Sequence, residues 1–134
     1  MPTIFPPLEL GALRWDFSRT LIMGVVNVTP DSFHDGGDHA DTDSAVAHAL
    51  ELALAGADLL DVGGESTRPG AARVSEQEEL DRVIPVVEAV TSRCSTPVSV
   101  DTYKASVAAQ AVAAGAAVIN DISAMALDPE MPAT

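Results

Sequence analysis

Four short apolar runs recur along the chain, and each ends on a glycine or on a side chain that can form hydrogen bonds. The runs are Leu21–Asn27, Leu59–Gly63, Pro97–Asp101 and Ala117–Asp121. Short unbroken apolar runs are typical of strands that are covered on both faces, as strands are in a parallel sheet. The pattern therefore predicts four parallel strands, each leading into a loop at its polar carboxyl end.

Helical periodicity fills the three intervals between these runs. In the first interval Thr42 or Asp43 can cap a helix that Gly56 ends, and in the second Ser75 and Glu78 have capping-box spacing. The buried stripes predicted for the three helices are Val46, Ala49, Leu50, Ala53 and Leu54; Leu80, Val83, Ile84, Val87 and Val90; and Val107, Ala108, Ala111 and Val112. The predicted order of elements is β-α-β-α-β-α-β.

Repeated βα units form either a closed eight-stranded barrel or an open, doubly wound sheet. Two features favour the barrel: the first βα loop has no Gly-x-Gly-x-x-Gly fingerprint, and the longest loops all follow strands. A barrel takes about 250 residues, so the 134 residues of this chain supply roughly half of one.

Ahead of the first run, Leu8–Leu10 and Leu13–Phe17 around Gly11 predict a hairpin. We therefore divide the chain into a hairpin segment, residues 1–20, and a barrel segment, residues 21–134.

Composition and charge exclude several classes of protein. Apolar residues make up 47% of the chain, which excludes disorder for most of it, and 20 acidic residues against 7 basic ones give a net charge of −13. An acidic chain with scattered cations is not expected to bind nucleic acid. Cys94 is the single cysteine, which favours a reducing cytoplasm. Because the chain has no signal-peptide pattern and no run of about 18 apolar residues, we expect no membrane segment.

Polar side chains at the strand ends are the main candidates for a site. Asn27, Asp61, Asp101 and Asn120 stand at the carboxyl ends of the four successive strands. In a βα barrel these ends converge on the one face where substrates bind. Any one of them alone can cap a helix or tie a loop, and Asp101 or Thr102 is a candidate cap for the third helix. Four in register favour a binding site.

Two loops that follow strands carry further candidates. Residues 28–37 are polar, end in two glycines and have the composition of a mobile lid. Residues 63–70 join glycines and hydroxyls to an arginine, which fits an anion-binding loop as well as it fits a plain turn. Lys104 is expected to be a solvated helix residue, and His34, His39 and His48 lack the spacing of a zinc site.

Four segments together resemble the dihydropteroate synthase family. They are LIMGVVNVTPDSFHDGG at Leu21–Gly37, GADLLDVGGESTRPG at Gly56–Gly70, VSVDT at Val98–Thr102 and VINDIS at Val118–Ser123. The first is the most specific, since it is a long ordered match, whereas the second is partly shared with pterin-binding methyltransferase barrels. The resemblance covers nearly all of the chain from Leu21 to Pro132. It implies the N-terminal half of a TIM (β/α)8 barrel, strands one to four.

The resemblance implies a transferase of folate biosynthesis, which joins 6-hydroxymethyl-7,8-dihydropterin diphosphate to p-aminobenzoate and releases pyrophosphate. Asp101 and Asn120 match positions that bind the pterin, and Asn27 matches a position beside the Mg²⁺ of the pyrophosphate. In this reaction a developing pterin cation would be stabilised by a nearby carboxylate, which makes Asp35 and Asp101 the catalytic candidates. The residues implied for the loops over p-aminobenzoate are Phe33, Asp35, Thr67, Arg68 and Pro69. The family also implies a homodimer for the full-length protein.

Three hypotheses follow from these observations. In the first, the chain is the N-terminal part of a dihydropteroate synthase and is inactive alone, because the family continues through four further βα units that carry other site residues. In the second, the chain is a natural half-barrel without catalytic activity, whose open sheet edges bind a partner. The third, a pterin-binding methyltransferase domain, leaves the first loop unexplained.

Overall fold

The computed structural model describes residues 5–28 and 38–134 and contains a hairpin, a parallel sheet and three α-helices. The strands are β1 (Leu8–Leu10), β2 (Leu13–Trp15), β3 (Met23–Asn27), β4 (Leu59–Gly63), β5 (Val98–Asp101) and β6 (Val118–Asn120). The helices are α1 (Asp38–Leu54), α2 (Glu76–Thr91) and α3 (Ala105–Ala113), followed by a 3-10 turn at Met131–Ala133. Every predicted strand and helix is present. None of the helices in the described residues is long and apolar enough to cross a membrane.

The parallel sheet follows chain order, β3-β4-β5-β6. In a doubly wound sheet the strand order reverses at a switch point, whereas in a barrel each strand lies beside the one before it. The helices pack against the face that carries Val26, Leu60 and Val100, which are fully buried. On the opposite face Val25 is 49% exposed. Both the order and the one-sided covering are those of consecutive units of a (β/α)8 barrel.

The hydrophobic core lies between the sheet and the helices. It is built mainly from valine and alanine, including Val26, Val46, Ala49, Val62, Val83, Val87, Val90, Val98, Val100 and Ala111. Branched valines suit the pleated surface of a strand, and small alanines let a helix approach it closely. The residues of the predicted helix stripes are buried or partly buried except Leu54 and Val112, which are 90% and 55% exposed because they lie in the last turns of their helices.

Two helices end in the same structural motif. Gly56 and Gly115 have φ angles of +102° and +108°, a conformation that L-residues rarely adopt. After α1 the N–H of Ala57 donates to the carbonyl of Leu52 (3.0 Å), and Ala116 makes the equivalent bond after α3 (2.9 Å). This is the long bond of a Schellman motif. It explains the repeated sequence signal, a glycine stop that leads directly into a strand.

The starts of the first two helices differ in how well the sequence predicts them. Ser75 caps α2 as expected, since its Oγ accepts from the N–H of Glu78 (3.2 Å). In contrast, α1 begins at Asp38 rather than near Thr42 or Asp43. The added residues have no apolar periodicity in the sequence, so the pattern predicts the start about one turn too late.

The third helix takes its cap from a distant segment. α3 begins at Ala105, whose N–H donates to Oδ2 of Asp128 (2.7 Å). The residue before it, Lys104, makes no side-chain capping bond. Neither Asp101 nor Thr102 caps this helix. Helix capping, the structural alternative to a binding role for Asp101, is therefore excluded.

The hairpin is present as predicted but is shorter. β1 and β2 pair around Gly11, and β2 ends at Trp15 rather than Phe17, because Phe17 has a positive φ of 55° that breaks the extended conformation. After the hairpin, the guanidinium of Arg19 contacts both carboxylate oxygens of Asp58, which also accepts from the N–H of Ile22 (2.9 Å). These bonds anchor the segment that leads into β3.

Close packing at the end of β4 gives a test of the fold. A Cβ added to Gly64 would lie 2.8 Å from Cγ2 of the fully buried Val83, whereas one added to Gly63 would approach Asp101 no closer than 3.6 Å. Since neither glycine has a positive φ, the comparison isolates steric overlap. We expect Gly64→Ala to lower the free energy of unfolding by roughly 1–3 kcal/mol, and Gly63→Ala by about 0.5 kcal/mol or less. Equal losses in urea denaturation would contradict this packing.

Candidate active site

The carboxyl ends of the parallel strands carry the predicted polar side chains. One row of paired residues crosses the sheet at this end, and we call it the rung. It consists of Asn27, Gly63, Asp101 and Asn120, each paired with the next. Asp61 does not share this rung, since β4 continues past it to Gly63. Three of the four predicted side chains therefore stand at the rim, and the fourth lies deeper on the same face.

Asp61 is joined to Asn120 by a hydrogen bond across the strand between them. Nδ2 of Asn120 donates to Oδ2 of Asp61 (3.3 Å), so side chains from β4 and β6 meet over β5. Alternate strands share interior layers in a barrel. The bond also orients the carboxamide: with Nδ2 turned toward Asp61, the oxygen Oδ1 of Asn120 remains for a ligand.

Asp101 stands beside Asn120 in an acidic environment. Burial, followed by repulsion from the carboxylates of Asp61 and Glu79, raises the pKa of Asp101 to about 6. At neutral pH its carboxylate and Oδ1 of Asn120 are both hydrogen-bond acceptors. A pair of adjacent acceptors fits the edge of a nitrogen heterocycle that presents N–H donors.

A narrow cavity of about 60 Å³ lies next to Asp101, between the loops that follow β4 and β5. Glu65 and Thr67 line it from the first loop, and Thr102 and Tyr103 line it from the second. The structure thus brings the glycine-rich loop of the sequence to the strand end that carries Asp101.

The tip of this loop is an exposed turn. Thr67, Arg68 and Pro69 are all exposed to solvent. The N–H of Ala71 donates to the carbonyl of Arg68 (3.1 Å), and Gly70 between them has a φ of +81°. Proline followed by a glycine of positive φ is the pattern of a type II turn. The turn therefore leaves Arg68 exposed to solvent, directly after Thr67, which lines the cavity.

Lys104 is not the solvated helix residue that the sequence predicts. Its side chain is 14% exposed and contacts the carboxylates of Glu65 and Glu79, which are 11% and 1% exposed. The hydroxyl of Tyr103 donates to Glu65 (3.2 Å), and the Tyr103 ring centroid lies 4.8 Å from Nζ of Lys104. We call these four residues the Lys104 cluster. One sequence signal could have found it: Glu79 stands four positions before Val83, on the apolar face of α2.

Two predicted site residues cannot be placed. Phe33 and Asp35 lie outside the described residues, as does His34. Asn27 ends β3 with an exposed side chain. Over residues 5–28 and 38–134, no group of three or more His, Cys, Asp or Glu side chains is arranged to hold a metal ion.

Comparison with known proteins identifies the family. A family model described as "Pterin binding enzyme" matches residues 23–134. The chain belongs to the pterin-binding enzyme family. The chain is 58% identical over 113 residues to the dihydropteroate synthase of Bacillus subtilis, a match that covers 84% of the chain and 40% of the relative.

Solved structures of dihydropteroate synthases contain the same fold as this chain. The Xanthomonas albilineans enzyme with 4-aminobenzoic acid matches with a TM-score of 0.88 and 52% identity, over 96% of this chain and 48% of that one. The enzyme from the same organism in complex with 7,8-dihydropteroate gives a TM-score of 0.81, 48% identity and coverages of 94% and 45%. The chain thus spans less than half the length of these proteins. The predicted N-terminal half of a TIM barrel is confirmed.

The raised pKa of Asp101 makes stability depend on pH. Its folded pKa of about 6 lies above the unfolded value of about 3.9. The folded state therefore binds the proton more tightly than the unfolded chain between these values, and the free energy of unfolding falls as pH rises from about 4 to 6. Asp101→Asn removes this penalty. We expect it to stabilise the protein at pH 7 by about 1 kcal/mol or less, since the side chain is partly solvated, and to have no stabilising effect at pH 4. Thermal melts at the two pH values measure the difference, and equal shifts would contradict it.

Proposed function

We propose that this chain is the N-terminal part of a dihydropteroate synthase, which joins 6-hydroxymethyl-7,8-dihydropterin diphosphate to p-aminobenzoate and releases pyrophosphate. The observation that carries the proposal is the position of Asp101 and Asn120, side by side on one rung with their acceptor atoms available. The amino group and ring N–H of a pterin are complementary to such a pair. The 58% identity to the Bacillus subtilis synthase supports the same conclusion.

The second loop suits the second substrate. p-Aminobenzoate has a carboxylate, and the exposed guanidinium of Arg68 is a cation of the geometry that binds carboxylates in pairs of hydrogen bonds. Thr67 lines the same cavity as Asp101, which places this loop next to the proposed pterin site. We therefore assign Thr67, Arg68 and Pro69, together with Phe33 of the first loop, to p-aminobenzoate.

The chemistry requires a leaving group and a cation to be stabilised in turn. The bond between the methylene carbon of the pterin and the diphosphate oxygen breaks, and its electron pair leaves with pyrophosphate. The amine nitrogen of p-aminobenzoate then bonds to that carbon and loses a proton. Positive charge develops on the pterin between these events, and the carboxylates of Asp101 and Asp35 are proposed to stabilise it.

Mg²⁺ is the proposed cofactor, and Asn27 is its proposed ligand. Magnesium prefers oxygen ligands, keeps several waters, and is commonly held by one or two protein groups together with substrate phosphates. The exposed amide of Asn27 at the rim fits that requirement as a single protein donor. When bound, the ion would neutralise charge on the departing pyrophosphate.

For the whole protein we also propose a homodimer in the cytoplasm, with small-molecule substrates and without nucleic-acid or membrane partners. The net charge of −13 opposes binding to a phosphate backbone, and the single cysteine is compatible with a reducing compartment. Light scattering of the purified protein measures the oligomeric state.

The synthase activity can be tested on the complete product of the reading frame that carries these residues. With both substrates and Mg²⁺, we expect stoichiometric dihydropteroate and pyrophosphate, detected by mass spectrometry and a coupled phosphate assay. The 134-residue chain alone is expected to be inactive, because it matches only 48% of a solved synthase. It would therefore lack part of the set of groups that orient the substrates and stabilise the transition state. A complete product without turnover at saturating substrates would refute the proposal; methyl transfer from a methylated folate would favour the methyltransferase hypothesis.

The metal assignment predicts a specific defect in Asn27→Ala. Losing the single protein donor should raise the Mg²⁺ concentration for half-maximal activity by about tenfold or more, with a smaller change in the KM of p-aminobenzoate. Gln77→Ala is a matched control, since it removes an exposed amide that donates to Asp81 on the surface of α2 (2.8 Å). If Asn27→Ala and Gln77→Ala have the same magnesium dependence, Asn27 is not a ligand.

A further inference from the structure

The Lys104 cluster is the most deeply buried group of charges among the described residues. Glu79 is 1% exposed on α2, Glu65 belongs to the loop after β4, and Lys104 precedes α3. One side chain therefore connects three segments that are far apart in the sequence. The chain contains no other lysine.

The cluster is held together by strong physical requirements. A buried carboxylate such as Glu79 is costly unless an opposite charge and hydrogen bonds compensate it. Burial by itself lowers the pKa of Lys104, but its hydrogen bonds to Glu65 and Glu79 outweigh that effect and raise the pKa above its usual value. Lys104 therefore stays charged at neutral pH, and Glu65 and Glu79 keep their partner.

The loop after β4 is attached to the fold mainly at its root. Glu65 receives hydrogen bonds from Tyr103 (3.2 Å) and from Lys104. The root is also held at Gly64, whose carbonyl accepts from Nη1 of Arg82 (2.9 Å). The bonds of the tip are local, from the N–H of Arg68 to Ser66 (3.4 Å) and from the N–H of Ala71 to Arg68 (3.1 Å). The attachment at Glu65 lies nearest the tip, two positions before Thr67, so we expect it to contribute most to the position of Thr67 and Arg68 relative to Asp101.

We propose that Lys104 is a positioning residue. Its contact with Glu79 fixes Lys104 to α2. Its contact with Glu65 holds the loop that carries Thr67 and Arg68 beside Asp101. Lys104 itself touches neither substrate. The kinetic part of this inference rests on the proposed synthase activity, but the structural part does not. If it is correct, releasing Glu65 loosens one substrate loop and leaves the strand ends in place.

The test uses the complete protein and two variants. Lys104→Arg keeps the positive charge between Glu65 and Glu79 and tests for rescue, whereas Lys104→Met is avoided because it would leave Glu79 buried without a partner. Glu65→Ala frees the loop but keeps the pair of Lys104 and Glu79, so it is expected to fold. Arg14→Met is the matched control, because it breaks an ion pair with Glu9 that is exposed on the hairpin (3.3 Å).

Hydrogen exchange of residues 64–72 gives a readout that does not depend on activity. In Glu65→Ala we expect these amides to exchange about tenfold faster, while β4 and β5 remain protected. In Glu65→Ala the KM of p-aminobenzoate should rise about tenfold or more, whereas the KM of the pterin diphosphate should rise less than twofold. Lys104→Arg should retain most of the affinity for p-aminobenzoate. Arg14→Met should change none of these values.

The outcomes separate the two proposals. If Glu65→Ala exchanges faster in the loop than the wild type, and the wild type shows no synthase turnover, the positioning role is supported and the proposed function is refuted. Unchanged exchange and unchanged KM of p-aminobenzoate in folded Glu65→Ala would overturn the positioning role, whatever the wild-type activity. An equal rise in both KM values would also overturn it, since that result indicates damage to the whole site.

Discussion

The parallel register of β3 to β6 determines where every candidate side chain of the strands lies. Because side chains alternate between the two faces of a strand, a slip of one residue would move Asp101 or Asn120 from the cleft to the helix side. The register instead pairs Asn27, Gly63, Asp101 and Asn120 in sequence. The side chains of Asn120 and Asp61 point to the same face and meet over the strand between them. The recognition surface is therefore a direct product of strand pairing.

Electrostatics divide the site into two regions. Around Asp101 there are several carboxylates and one buried lysine, so this region favours N–H donors and positive charge. The guanidinium of Arg68 lies outside it, on an exposed turn. For the proposed synthase, a heterocycle with N–H donors would suit the first region and an anionic benzoate the second, which lies on the loop after β4. The attachment of that loop would then determine how the two proposed substrates are positioned relative to each other.

Local signals in the sequence are sufficient for the elements and for the rim of the cleft. Apolar runs locate the strands, Gly56 and Gly115 locate two helix ends, and Asp101 and Asn120 mark the strand ends. The features that the sequence does not predict depend on contacts between distant segments. The cap of α3 comes from Asp128, 23 positions beyond Ala105.

The burial of Lys104 has the same origin. A lone lysine beside a helix start looks solvated until the fold brings Glu65 and Glu79 to it from two other segments. The depth of Asp61 follows from the length of β4, whose end a local pattern does not define. Sequence patterns therefore predict positions along the chain better than they predict partners across it.

The single lysine also has a practical consequence for measuring motion. A lysine-specific endoproteinase has one target bond in this chain, the bond that follows Lys104, and the side chain it must bind is 14% exposed and engaged by two carboxylates. Cleavage then requires the cluster to open first. The rate at which the two fragments appear therefore reports how often the Lys104 cluster opens, at the point where three segments of the fold meet.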